Sequence, residues 1–196
     1  MKFYIADWHY GHKNILSYDG RPFESVEHMN EELVARWNKA VGKGDLVYIL
    51  GDMFWCTPAK AVPVLEGLNG RKILVRGNHD YLKHSGFRNQ FLEVCDYLEI
   101  EDRVPENHGN LKKNLVLCHY PMPSFKNGPK GWVHLYGHVH STREWTMMED
   151  VREQMELTYG CWYNMVNVGA MMPWMDYTPR TLEEILAGDL EWRKTV

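Results

Sequence analysis

Apolar residues in this chain fall into short unbroken runs and helically spaced sets, and several of the runs stop at a histidine or an acid. Residues 2–6 (KFYIA) read as a buried strand ending at Asp7. A polar loop through Gly11, Gly20 and Pro22 follows. Over residues 25–41 the positions Val26, Met29, Leu33, Trp37 and Val41 lie three or four apart, which predicts one buried face of an amphipathic helix, ended by Gly42 and Gly44. Residues 46–50 (LVYIL) form an uninterrupted apolar run, the mark of a strand covered on both faces. Thr57-Pro58 is a helix start, with a capping hydroxyl before a proline at the first helical position. Pro63 then predicts that this helix is short, kinked or broken. Residues 72–75 make a third strand before Gly77.

Alternation of strand and helix to this point implies an α/β sheet with parallel neighbours, whose ligands gather at the carboxyl ends of the strands. The second half is richer in strand, over residues 98–104, 115–118, 133–136 and 165–168. Thr181 to Glu184 has the spacing of a capping box opening a last helix over Leu182, Ile185 and Leu186. Residues 120–132 and 143–162 read as the least regular segments. The simplest architecture is a sheet sandwich with helices on its outer faces.

Composition narrows the class. The 196 residues are 44% apolar, enough for one domain over residues 1–196 with a sizeable core. Formal net charge is -4 and the basic residues are scattered. No cationic stripe tracks a nucleic-acid backbone, which counts against extended nucleic acid as a partner. Cys56, Cys95, Cys118 and Cys161 form no C-x-x-C pair and match no zinc-finger spacing, so they read as reduced thiols. With no room for a signal peptide before Asp7 and no apolar run of membrane-spanning length, a cytoplasmic protein without a membrane partner is expected.

The chemistry is concentrated in five strings: Asp7-Trp8-His9, Gly51-Asp52, Gly77-Asn78-His79-Asp80, Cys118-His119 and Gly137-His138-Val139-His140. Each follows an apolar run. Asp7 and His9 are two apart at a strand end, so their side chains can converge on one ion, and His138 and His140 repeat that spacing. Gly51 lets the backbone turn and present Asp52. These residues make two ligand sets, Asp7, His9 and His140 for one ion and Asn78, His119 and His138 for the other, with the two oxygens of Asp52 bridging them. Oxygen and imidazole donors without thiolate suit two divalent ions such as Mn²⁺, Fe, Zn²⁺ or Ni²⁺, Mn²⁺ being favoured, and the imidazole count speaks against Mg²⁺ or Ca²⁺. Such a pair activates a water and clamps a phosphate for in-line attack. A proton must then reach the leaving oxygen; His79, at the site rim beside Asn78, is assigned as the acid or as a stabiliser of the transition-state charge, with Asp80 orienting it.

The five strings resemble the calcineurin-like metallophosphoesterases, whose pattern is D-x-H, G-D, G-N-H-[DE], H and G-H-x-H. The chain is especially similar to short bacterial and phage members, through His9-Tyr10-Gly11-His12-Lys13-Asn14-Ile15, Trp37-Asn38 and Leu50-Gly51-Asp52. The resemblance implies a four-layer α/β/β/α sandwich and hydrolysis of a phosphodiester or phosphomonoester of a small or nucleotide-like substrate, the diester being favoured. Two positions depart from the pattern. Trp8 is bulky for the middle of the first string and would narrow access beside that ion, and Ala170-Met171-Met172 replaces an Asp that close relatives tend to carry.

Other residues leave alternatives open. His12 either orders its loop or contacts substrate at the site mouth. Arg76 either reaches a phosphate or pairs on the surface, and Lys13, Arg21, Lys126 and Arg143 read as solvated charges. Trp8, Trp55, Trp132 and Trp174 fall on expected site loops, as core, lid or base-stacking groups. His28, His84, His108 and His134 carry no assigned role. Competing functions are a nuclease of the same family and a non-catalytic metal-binding scaffold; a scaffold would be expected to lack the histidine or some ligands, and none is missing here.

Overall fold

The computed structural model describes residues 1–106 and 109–195, and His108 lies outside them. Strands β1 (Lys2–Ile5), β2 (Leu46–Ile49), β3 (Arg71–Val75) and β4 (Glu93–Cys95) pair in that order, all parallel, as the first sheet. The second sheet runs β5 (Tyr97–Glu106), β6 (Gly109–Cys118), β7 (Val133–Tyr136) and β8 (Asn164–Asn167). In it β5 and β6 form a long antiparallel pair, whereas β6, β7 and β8 are parallel neighbours. Helices α1 (Ile15–Tyr18), α2 (Val26–Ala40), α3 (Pro58–Gly67), α4 (Ser85–Arg88), α5 (Arg143–Tyr159) and α6 (Leu182–Arg193) complete an α/β sandwich of two sheets.

Packing follows the expected faces. The α2 helix starts on Ser25, whose hydroxyl accepts from the His28 N–H, and buries Met29, Leu33 and Trp37. The α3 helix starts after Thr57 and runs ten residues through Pro63, a longer element than the internal proline implied. The capping box of α6 forms as expected, Thr181 and Glu184 satisfying each other's backbone N–H groups. In the second sheet Leu115, Leu117, Val133, Leu135 and Val166 enter the main core with β1–β3, while Val116, Tyr136 and Met165 point to the other face, under Trp145, Met148 and Met155 of α5.

The α5 helix overturns the reading of residues 143–162 as irregular. Its inward face is Trp145, Met148, Arg152 and Met155, a helical spacing interrupted by a charge. Arg152 is buried because Glu149 and Glu156, at 2.9 and 3.0 Å, neutralise it from the same helix. Gly160, left-handed at φ 60°, ends the helix.

The two sheets meet where the site is built. Beyond β1, the Ala6 N–H donates to the Val168 carbonyl at 2.9 Å, and the Ala170 N–H donates to the Ala6 carbonyl at 2.8 Å. The segments after β1 and β8 therefore lie side by side, which brings Asp7 against the loop after β7.

One buried histidine makes the fold acid-sensitive. His134 on β7 is fully buried, with Nδ1 3.2 Å from the Val116 carbonyl and Nε2 accepting from the Met122 N–H at 3.0 Å. Both bonds are satisfied by the neutral ring, and burial lowers its pKa from 6.5 to about 4. The unfolded chain thus binds the extra proton first, and stability falls as pH drops from 6.5 through 4. A shift of that size corresponds to about 3 kcal/mol. Urea unfolding at pH 7 and pH 4.5 is expected to show a loss in the wild type that His134→Gln largely lacks.

Candidate metal centre

The five strings come together at the carboxyl ends of the strands, on a backbone that most side chains avoid. Asp7 (φ 51°), His9 (50°), Asp52 (54°), His138 (70°) and His140 (51°) are all left-handed. Such conformations cost of order 1–3 kcal/mol each and persist where the surroundings hold them. Glycines provide the room. A Cβ on Gly137 would lie 2.5 Å from both Ala6 Cβ and Asp7 Oδ2, and one on Gly51 would lie 2.5 Å from His119 Nδ1.

Two groups of side chains result. The donor atoms of Asp7, His9 and His140 lie within 4.8 Å of one another, as do those of Asp52, His119 and His138. Asn78 joins the second group, its Oδ1 3.1 Å from His119 Nε2, and Asp52 Oδ2 is 3.6 Å from the same nitrogen. Two of the rings are held from behind. His119 Nδ1 donates to the Leu50 carbonyl at 2.7 Å, and His140 Nδ1 is 2.8 Å from Asp19 Oδ1, so both turn Nε2 to the site.

The first group carries the chemical sign of a cation site. Asp7 accepts the His138 N–H through Oδ2 at 2.9 Å, but its buried Oδ1 makes no hydrogen bond within the chain, and neither does the buried Nε2 of His9. Burial pushes the Asp7 carboxyl up to about 6, with Asp52 adding to it, against the downward pull of His140, His119 and the His138 N–H. Burial, then crowding by His140, Arg21, His12 and His79, keeps His9 neutral. A divalent ion fits these donors, since it would satisfy both orphaned atoms and the buried carboxylate together.

His79 stands at the rim with its side chain 40% exposed, Nε2 3.9 Å from Asp52 Oδ2, while its backbone N–H donates to Asp52 Oδ1 at 2.9 Å. Trp55, 41% exposed, packs edge-on against the His79 ring at 4.3 Å and stacks on His12 at 4.1 Å. On the other side Tyr120, 46% exposed, leans on His138 and His119.

A calcineurin-like phosphoesterase profile matches residues 3–163. The chain belongs to that family. It is 37% identical over 139 residues to an uncharacterized protein of Methanocaldococcus jannaschii, covering 70% of this chain and 68% of that one. It is also 28% identical over 184 residues to the Gene 66 protein of Mycobacterium phage D29, covering 83% and 89%. A crystal structure of a protein of unknown function from Aquifex aeolicus shares the fold with a TM-score of 0.62 at 24% identity, covering 100% of this chain and 99% of that one.

Within this calcineurin-like phosphoesterase several residues stand elsewhere than the sequence suggested. Trp8 does not narrow the site: it is buried in the core against Trp37, Phe54 and Tyr10, because the residue between two that face the site points away from it. Asp80 does not face the His79 ring. Its carboxylate accepts the N–H groups of Gly77 (2.8 Å), Asp52 (3.2 Å) and Met53 (3.3 Å), and so ties the loop after β3 to the one after β2. Arg76 pairs with Asp96 at 2.6 Å on the cleft edge. His12 lies behind His9, their Nδ1 atoms 3.4 Å apart. Trp174 is buried and donates to the Asn167 carbonyl at 2.8 Å, whereas Trp55 is the tryptophan beside the ligand rings. Arg21 is buried rather than solvated, paired with the buried carboxylate of Asp19, which carries no sequence signal of its own. Asn167, at the end of β8, likewise supports the centre: its side chain donates to the His140 carbonyl at 2.8 Å.

Proposed function

We propose that this chain is a binuclear metal-dependent phosphoesterase that hydrolyses a small or nucleotide-like phosphoester, a diester in preference to a monoester. The observation that carries the reading is the pair of convergent donor groups with Asp7 Oδ1 and His9 Nε2 buried and unbonded. Asp7, His9 and His140 would hold one ion, Asn78, His119 and His138 the other, and the carboxylate of Asp52 both. Carboxylate, amide and imidazole donors without thiolate favour Mn²⁺. Such a pair supplies a water acidic near neutral pH and polarises the phosphoryl oxygens.

The chain's own residues do the rest. Asp80 and the His79 N–H hold the Asp52 loop and carboxylate in place. The exposed His79 ring reaches over the rim, where it would give its proton to the leaving oxygen. Trp55 and Tyr120 present exposed aromatic surface on the two sides of the centre, which suits a planar base or aryl group. The arginine on the cleft, Arg76, is already paired with Asp96, so the extra charge of a monoester dianion gains no further guanidinium there. With its four cysteines free, we place the protein in the cytoplasm, as one domain over residues 1–196.

Protein reconstituted with Mn²⁺ is to be assayed on paired aryl mono- and diesters while bound metal is counted. Two ions per chain and faster turnover of the diester are expected. Two ions without turnover of either ester would replace the enzyme by a metal-binding scaffold, and a faster monoester would reverse the substrate preference.

A further inference from the structure

Outside the seven donor residues, the least expected group near the site is a buried ion pair. Asp19 and Arg21 lie in the loop between α1 and α2, and their side chains are 2% and 0% exposed. Arg21 grips one oxygen of Asp19, Oδ2, through Nε and Nη2, both at 2.9 Å. Its Nη2 also donates to the Asp7 carbonyl and its Nη1 to the Trp8 carbonyl, each at 2.9 Å. The other oxygen of Asp19 takes the Nδ1 of His140 at 2.8 Å.

We propose that Asp19 and Arg21 are positioning residues for the Asp7–His9–His140 donor group, set so that one ion is held tightly at that group and not at its neighbour. The proposal rests on reading that group as a metal site. Arg21 bonds the two carbonyls of the stretch whose ends, Asp7 and His9, are held left-handed, so it fixes the backbone that aims both donors. Asp19 fixes the ring orientation and tautomer of the third donor, His140, and a carboxylate behind an imidazole makes its far nitrogen a stronger ligand. All three donors of one group are thereby tied to one ion pair. Among the described residues the second group has no such ion pair behind it: His119 is backed by the neutral carbonyl of Leu50. A stability role alone explains the pair poorly, because a buried ion pair seldom outperforms apolar side chains of the same size.

The test is a calorimetric Mn²⁺ titration of the full chain, with electron paramagnetic resonance of the loaded protein, for wild type, Asp19→Asn and the double variant Asp19→Asn/Arg21→Met. Wild type is expected to bind two ions and show an exchange-coupled pair. In Asp19→Asn one ion should keep its affinity while the other weakens by about 10- to 100-fold, the cost typical of removing such a backing group. At two equivalents of Mn²⁺ the coupled signal should give way to that of an isolated ion. The double variant, which leaves no lone charge buried, should show the same one-sided loss with a metal-free melting temperature near wild type. Two ions at wild-type affinity in either variant would overturn the proposal. So would equal weakening of both ions, or failure of both variants to fold, since each makes the pair an element of the fold. Wild type binding fewer than two ions would instead strike the metal-centre reading itself.

Discussion

Asp52→Asn is expected to lower turnover of an aryl phosphodiester by about 10³-fold, while the protein folds as before. The magnitude follows from the several kcal/mol that metal polarisation contributes, at about 1.4 kcal/mol per factor of ten. The substitution keeps the shape of the side chain, and the structure decides which way the new amide points. The His79 N–H donates to Oδ1 at 2.9 Å, so the amide oxygen must stay there and the NH₂ must take the place of Oδ2. That position is 3.6 Å from His119 Nε2 and faces the second donor group. A donor aimed at a cation is worse than a vacant ligand, so the ion at Asn78, His119 and His138 should be the one chiefly lost. Turnover of the reconstituted variant and its bound Mn²⁺ check this together. Turnover within a few-fold of wild type, with both ions bound, would remove Asp52 from the mechanism.

What the chain discloses before folding is what is local. Apolar runs 46–50 and 73–75 mark strands because a strand buried on both faces has no polar position to interrupt it. The donor strings are legible for a related reason: Asp, His and Asn at strand ends are expensive to bury without a partner, and the structure brings the donors of these strings together. Contacts across the fold are not legible in this way. Arg21 stands in a loop with Gly20 and Pro22, where a charge reads as solvated; nothing local shows that it will find the Asp7 and Trp8 carbonyls. Arg152 hides α5 by the same means, since a buried ion pair in the middle of a helical face erases the apolar period. Asp80 shows the limit from the other side. Being next to His79 in sequence suggested a partner for the ring, but the left-handed turn at Asp52 delivers backbone N–H groups that a buried carboxylate takes first. Adjacency in the chain said less than the unpaired donors of a distant loop.

The role of His79 can be separated from that of the donors it adjoins. Its ring is 40% exposed and rests against Trp55, while its backbone N–H, not its ring, bonds Asp52 Oδ1. His79→Ala therefore removes a proton donor without disturbing the donor groups, and both ions should stay bound. Turnover should fall by about 10²- to 10⁴-fold, the range for a general acid. The size of the loss should depend on the substrate. A nitrophenolate leaves without being protonated, whereas an alkoxide needs the proton in the transition state, so the variant should suffer least on nitrophenyl diesters and most on alkyl ones. A loss of the same size across leaving groups would mean that the ring stabilises charge on the phosphoryl oxygens instead. Loss of bound metal would show that it belongs to the donor set, and the proton would have to come from elsewhere on the rim.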